Sequence, residues 1–412
     1  MAAVVAGVLS LFAVASAVST AGGNVAAALV MAVALATWAR HRRPFASLVP
    51  AQVALAFAAL LLTQVVATAL APPLPARWDK LVEENWLKLL LVAVPLAAAG
   101  SPRAVVRAVQ VVVIVGAVAG LYGVWQHFSG FDPIRDRRLH STVGMTIATG
   151  FQSHHLSFGG VTMIALAVAM AWLRHEVLVS PRRAWLPLAA CLAIGLGLVG
   201  SFARSAQVGA FAAAVFLVLT LAGRWRRAGV ALLTVVLVVA ALTPAVRLRA
   251  LEGIQDEKEV TRPNLWRSSV AGIADRPLTG WGPGNFGAML AAHEVPGFYE
   301  SRAHSHNDYL MHAVNAGLPA LAAALWLLVA TLIALHRGWR RGGPGSWIVL
   351  GAGAAQVAVA VAGIFQVYQT DDEPEMLLYF VLGCALALIA GDVTPSPDAP
   401  PAPGTPRQGR SR

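Results

Sequence analysis

The chain has 412 residues, of which 57% are hydrophobic and only 12% charged, with a formal net charge of +11. That balance excludes an ordinary soluble domain. The positive charge does not point to nucleic acid, because the arginines follow the order of the apolar runs.

Apolar runs of about 18 or more residues read as membrane-spanning helices. In chain order they cover roughly 3–20, 24–39, 47–71, 86–100, 104–127, 154–173, 184–202, 205–222, 228–246, 308–335, 346–368 and 374–391. The fold class expected is an all-α integral membrane protein of about 12 transmembrane helices. Runs 24–39 and 86–100 are short, and Pro187 in run 184–202 lies near enough to its end to be absorbed. The first run has no positive charge before its apolar part, so it reads as a retained span and not as a signal peptide. Cys191 and Cys384 sit inside apolar runs, as small buried hydrophobes do. Residues 1–393 form one polytopic membrane domain, and 394–412, rich in Pro, Ser and Arg, are expected to be a disordered cytoplasmic tail.

Arginine placement predicts the orientation. The loops after runs two, four, six, eight and ten carry Arg40, Arg42 and Arg43; Arg103 and Arg107; Arg174, Arg182 and Arg183; Arg224, Arg226 and Arg227; Arg337, Arg340 and Arg341. The loop after run eleven is acidic, with Asp371, Asp372, Glu373 and Glu375. By the positive-inside rule both termini are cytoplasmic. On the outer side the longest loop is 247–305, between the ninth and tenth spans, followed by 72–85 and 128–153. Within the first, 263–275 is expected to form a short amphipathic helix, with Pro263 in its first turn and Pro277 beyond its end. The GWGPGNFG that follows, Gly280 to Gly287, reads as a tight loop. A glycine-rich phosphate cradle of the dinucleotide type needs a βαβ unit, which a helical membrane bundle does not offer.

Where the long loop meets the tenth span stands RAHSHNDYLMHAVNAGLP, Arg302 to Pro319. Ser305 and Asp308 have capping-box spacing, which predicts Ser305 as the N-cap and His306 as the first helical residue. The positive end of a helix dipole disfavours an imidazolium there, and a neutral histidine near physiological pH can act as a general base. The plain alternative is a histidine decorating a wet helix end. His304, Asn307, Tyr309 and His312 crowd the same turn, and GFQSHHLSFGG, Gly150 to Gly160, brings His154 and His155 to the same side. Arg204 lies in the outer turn GSFARSAQVG, and Arg262 opens the expected loop helix. Arginine binds phosphate bidentately and keeps its charge at low dielectric, although an arginine in an outer turn can also merely snorkel.

Two chemistries compete for such a cluster. His304-x-His306 with Asp308 lacks the spacing of a hydrolytic zinc site, so no metal is expected. A base beside diphosphate-binding arginines is instead the layout for moving a group off a lipid-linked diphosphate. A transporter is the non-enzyme alternative, but nearly all charge lies at helix ends and in loops, with Arg107 and Gln110 as mild exceptions.

Three segments, GSFARSAQVG, RPNLWRSSVAGIADRPLTGWGPGNF and HSHNDYLMHAVNAGLPA, resemble the O-antigen ligase and O-antigen polymerase superfamily of bacterial envelope glycosyltransferases. The ligase pattern is a histidine, then Asn, Ser or Gln, nine residues, a glycine, two residues, and Gly, Thr or Tyr. His306, Asn307 and Gly317 fit it, and Ala320 departs from it. The resemblance implies a donor glycan on undecaprenyl diphosphate, with Arg204 and Arg262 on the diphosphate. It implies His306 as base for a sugar hydroxyl, and the residues crowded on the same side, His304, Asn307, Tyr309 and His155, are candidates to support it. Transfer would be inverting, without metal or other cofactor, at the periplasmic face of the inner membrane. The acceptor would be lipid A core for a ligase, or a second lipid-linked glycan for a polymerase.

Overall fold

The computed structural model describes residues 2–41, 48–71, 74–142, 144–243, 261–297, 299 and 302–391. Fifteen α-helices are found among them: α1 (Ala2–Val18), α2 (Thr20–His41), α3 (Ala51–Ala69), α4 (Trp78–Glu83), α5 (Leu90–Ala97), α6 (Pro102–Ser129), α7 (His155–Val179), α8 (Trp185–Gly200), α9 (Arg204–Leu219), α10 (Gly223–Leu242), α11 (Thr261–Asp275), α12 (Phe286–His293), α13 (Asp308–Arg341), α14 (Ser346–Ala362) and α15 (Asp372–Gly391). Six of these, α2, α3, α6, α7, α13 and α15, are long and apolar enough to cross a membrane, and α1, α8, α9 and α14 are shorter apolar helices. Residues 244–260, at the start of the expected long loop, and the tail 394–412 lie outside the described residues.

The bundle is built on close backbone approach. A Cβ on Gly197 of α8 would lie 2.5 Å from the Cα of Gly120 in α6, and one on Gly209 of α9 would lie 2.5 Å from the Ala358 carbonyl oxygen of α14. Small residues at such crossings let helices pack without a hydrophobic drive between them, as membrane helices must. α7, α14 and α15 form the centre, with most of their side chains buried. α10 lies at the edge and exposes Val235 to Val239. Helix directions bring the starts of α7, α9, α13 and α15 to one end of the bundle, where Ser157, Ser205 and Asp308 all bond the 363–371 loop. Arg182 and Arg183 after α7, Arg224, Arg226 and Arg227 after α9, and Arg337, Arg340 and Arg341 at the end of α13 fall toward the other end.

Three expected elements differ. Residues 86–100 are not one long helix: a 3-10 turn, Leu87–Leu89, leads into the eight-residue α5, which contains Pro95. At 1.5 Å per residue α5 is only about 12 Å long. The outer loop 128–153 is not plain coil but carries two small hairpins, pairing Phe131–Asp132 with Arg137–Arg138 and Ser141–Thr142 with Met145–Thr146. The third is the long helix after His306. α13 is broken at Ala316 and Gly317, the latter at φ 74°, just before Pro319. A break exposes carbonyls that lose their helical donors, and Pro319 has no N–H to give.

The GWGPG loop repairs that break. The Trp281 N–H donates to the Val314 carbonyl at 2.7 Å and the Gly282 N–H to the Asn315 carbonyl at 2.9 Å. In return the Leu318 N–H donates to the Pro277 carbonyl at 2.7 Å. These three bonds satisfy the Val314 and Asn315 carbonyls and the Leu318 N–H inside the protein, as irregular backbone at membrane depth requires. α11, α12 and this loop bury Leu265, Trp281, Phe286, Met289 and Leu290 against Met311 and Val314, forming a cap over the first half of α13. Gly280 sits at φ 63°, and a Cβ there would stand 2.5 Å from the Val314 carbonyl oxygen. Gly280→Ala is therefore expected to cost about 2 kcal/mol or more, read as a lower unfolding temperature in detergent. A wild-type melting curve would mean that the loop is not clamping the break.

Candidate functional site

The site lies where the first half of α13 meets the starts of α7, α9 and α11. Its frame is the 363–371 loop between α14 and α15. The Asp308 N–H donates to the Gly363 carbonyl at 2.8 Å, and Asp308 Oδ1 accepts the N–H groups of Tyr368 and Gln369, each at 3.0 Å. A Cβ on Gly363 would lie 2.5 Å from Asp308 Oδ2, so only glycine permits this approach. Asn307 Nδ2 donates to the Ile364 carbonyl at 2.9 Å, while its Oδ1 accepts the Leu310 N–H.

Asn307, not Ser305, is therefore the N-cap of α13. The Ser305 hydroxyl instead donates to the Asn307 carbonyl. His306 stands two residues before the helix, not inside it, in the left-handed region at φ 51°. A non-glycine residue there is strained, and such strain persists only where surroundings over-determine it. His306 Nδ1 lies 2.6 Å from Gln366 Oε1, and its ring meets that of His304 edge-on at 4.2 Å.

His304 accepts the His306 N–H at Nδ1. Its pKa is pushed down to about 4 by burial first, and then by His306, Arg262 and His154. His304 is thus neutral at physiological pH. Between its ordinary value of 6.5 and about 4 the folded state binds fewer protons than the unfolded chain. Stability present above that window is lost as the pH falls through it. His304→Gln, which keeps an acceptor for the His306 amide, is expected to flatten this acid loss in thermal scans across pH 4 to 7. An unchanged slope would assign the loss to other groups.

The electrostatic influence of Arg262 on both His304 and Tyr368 sets the start of α11 beside the histidine pair. The expected loop helix thus exists as α11, and it is tied to the histidine turn, since Trp266 Nε1 donates to the Ser305 carbonyl at 3.0 Å. Arg204 is the first residue of α9, after a turn in which Phe202 takes φ 53°. Its neighbour Ser205 shares a 2.8 Å hydrogen bond with the Tyr368 hydroxyl. Tyr368 therefore links the Arg204 turn through its hydroxyl and the His306 turn through its amide. His155 opens α7 behind the His154 cap, and the rings of His154 and His155 lie 4.4 Å apart. A Cβ on Gly159 would lie 2.3 Å from Ala203 Cβ, so α7 and α9 start in close contact.

Two expected members play other parts. The Tyr309 hydroxyl donates to the Ala360 carbonyl at 2.6 Å and packs α13 on α14. His312 is buried below the site, with Nε2 lacking a hydrogen-bond partner. The glycine loop is no phosphate cradle: the amides of Gly280, Trp281 and Gly282 are spent on protein carbonyls.

Three contributors were not legible as site residues: Gln366, Tyr368 and the acidic loop. Asp371 is half-buried and accepts the Ser157 hydroxyl at 2.9 Å. Burial, and then Glu373, raise its pKa well above the carboxylate range. The acidic run that read as a topology marker thus takes part in the frame, with Asp371 bonded to Ser157 and Glu373 to Thr20. Among the described residues no group of three His, Cys, Asp or Glu is disposed to hold a metal.

Among curated proteins the chain has no match. Residues 189–325 match a protein family described as O-antigen ligase. The matched segment runs from α8 into α13 and contains Arg204, Arg262, His304, His306, Asn307 and Tyr309, but not His155 or the 363–371 loop. With several apolar helices long enough to cross a membrane, the chain is a multi-pass membrane protein whose residues 189–325 are similar to the O-antigen ligase family.

Proposed function

We propose that the protein transfers a glycan from undecaprenyl diphosphate to a sugar hydroxyl, with lipid A core as the acceptor. His306 takes the proton of the attacking hydroxyl as general base. Arg204 and Arg262 hold the diphosphate and stabilise it as it leaves. His304, Asn307 and His155 support this centre, and Tyr309 supports it indirectly by fixing α13 on α14. Attack from the face opposite the diphosphate inverts the anomeric carbon. The proton passes to His306 and the bond electrons leave with the diphosphate, so the step balances without metal.

The observation that carries this reading is the junction itself. A strained, buried His306 and the Arg204-bearing start of α9 are bonded to one loop through Gln366, Tyr368 and Asp308, and the Arg262-bearing α11 is bonded to the His306 turn through Trp266. The gathering of arginines at the far end supports cytoplasmic termini and a site facing the periplasm from the inner membrane. Ala320 is buried with Ala67 and Ala316, so its departure from the ligase pattern falls at a packing position.

The test uses purified protein in detergent with an undecaprenyl-diphosphate glycan, with and without lipid A core, and a chelator in both arms. Product that needs the core acceptor and survives the chelator is expected. Extension of the donor alone into longer chains would make the protein a polymerase. Loss of product on chelation would overturn the metal-free step.

A further inference from the structure

The 363–371 loop does more than brace α13. It grips Asn307 and Asp308 through Ile364, Gly363, Tyr368 and Gln369. The residue just before that grip, His306, is the one forced to φ 51°. Its backbone is therefore fixed from the loop side, and the same loop presents Gln366 to its ring at 2.6 Å, with both residues buried. A carboxamide oxygen has lone pairs and no proton, so it pairs only with a protonated ring nitrogen. In a neutral imidazole one nitrogen carries the proton and the other is the base.

We infer that Gln366 is a positioning residue for His306: by accepting from Nδ1–H it fixes the tautomer in which Nε2 is the proton-accepting nitrogen. This rests on the reading of His306 as general base. A neutral partner suits the site. A carboxylate in its place would also hold Nδ1–H, but it would raise the proton affinity of the ring and set a negative charge beside a diphosphate. The ionisable groups that act on His304 are His306 itself, Arg262 on α11 and His154 at the cap of α7, and Asp308 and Tyr368 hold the loop that carries Gln366. Gln366 Oε1 lies within hydrogen-bond distance of His306 Nδ1, at 2.6 Å.

The experiment compares wild type, Gln366→Leu, Gln366→Glu and His306→Ala as full chains, using the glycan-transfer assay from pH 5 to 9. Gln366→Leu is expected to lower kcat about 10- to 100-fold, with donor KM changed less than about 3-fold. Gln366→Glu is expected to recover much of that kcat and to move the acidic limb of the pH profile up by about one unit. Wild-type kcat in Gln366→Leu, or an unmoved limb in Gln366→Glu, would overturn the inference. Activity in His306→Ala would instead overturn the base itself, so the two failures are separable. Nitrogen NMR of ¹⁵N-histidine-labelled protein reads the tautomer without turnover, with the His306 signals assigned by their loss in His306→Ala. A proton on Nδ1 is expected, and a proton on Nε2 alone would overturn the assignment.

Discussion

His306→Ala is expected to reduce glycan transfer by a factor of about 10² to 10⁴, the usual worth of a positioned general base. Expression and unfolding temperature should stay near those of wild type. The ring is buried at a helix entrance and not within the apolar core, and its removal leaves the backbone grip on Asn307 and Asp308 in place. His306→Gly sharpens the result. Glycine adopts φ 51° without strain, so this variant should be at least as stable as His306→Ala and equally inactive. Transfer rates and melting curves on the same preparations check both statements. Wild-type transfer in either variant would remove His306 from the chemistry, and the Arg204–Tyr368–Asp308 junction would then need another role.

How far the sequence carried this site depended on the range of the interactions. The α11 helix, the arginine positions and the polar turn at His306 were legible because each is written in a local pattern. The N-cap was misplaced by two residues because Ser305 and Asn307 both suit a cap, and the choice rests on Ile364, 57 positions away from Asn307. Gln366 could not be found for the same reason, since it meets His306 across 60 positions. The break in α13 had a local signal, Gly317 followed by Pro319, but uniform hydropathy across 308–335 concealed it. The glycine loop before it gave no sign of its partner, because its backbone bonds serve a break more than 30 positions on. Hydropathy reports which segments avoid water and is silent about which loops close over a discontinuity.

The second large effect is expected away from the reacting atoms. Lys88 and Glu375 are each 1% exposed and form a 2.8 Å ion pair between the turn before α5 and the start of α15. Lys88 also donates to the Glu84 carbonyl, and Glu84 in turn accepts from Asn315 on the first half of α13. The pair therefore ties α5 and α15 to the half-helix that begins beside His306. Taking two charges out of water nearly cancels their attraction, but removing one partner leaves the other buried and uncompensated. Lys88→Met should thus cost about 3–5 kcal/mol, and the double variant Lys88→Met, Glu375→Met should recover most of it. A cycle of the two single variants and the double variant in thermal or denaturant unfolding isolates the coupling. If Lys88→Met loses less than about 1 kcal/mol, Glu375 is protonated in the folded protein and the pair is not ionic. If the double variant is stable yet transfers glycan slowly, the ionic character of the pair serves the placement of α13 and not the stability of the bundle. That result would join this buried pair to the function of the site above it.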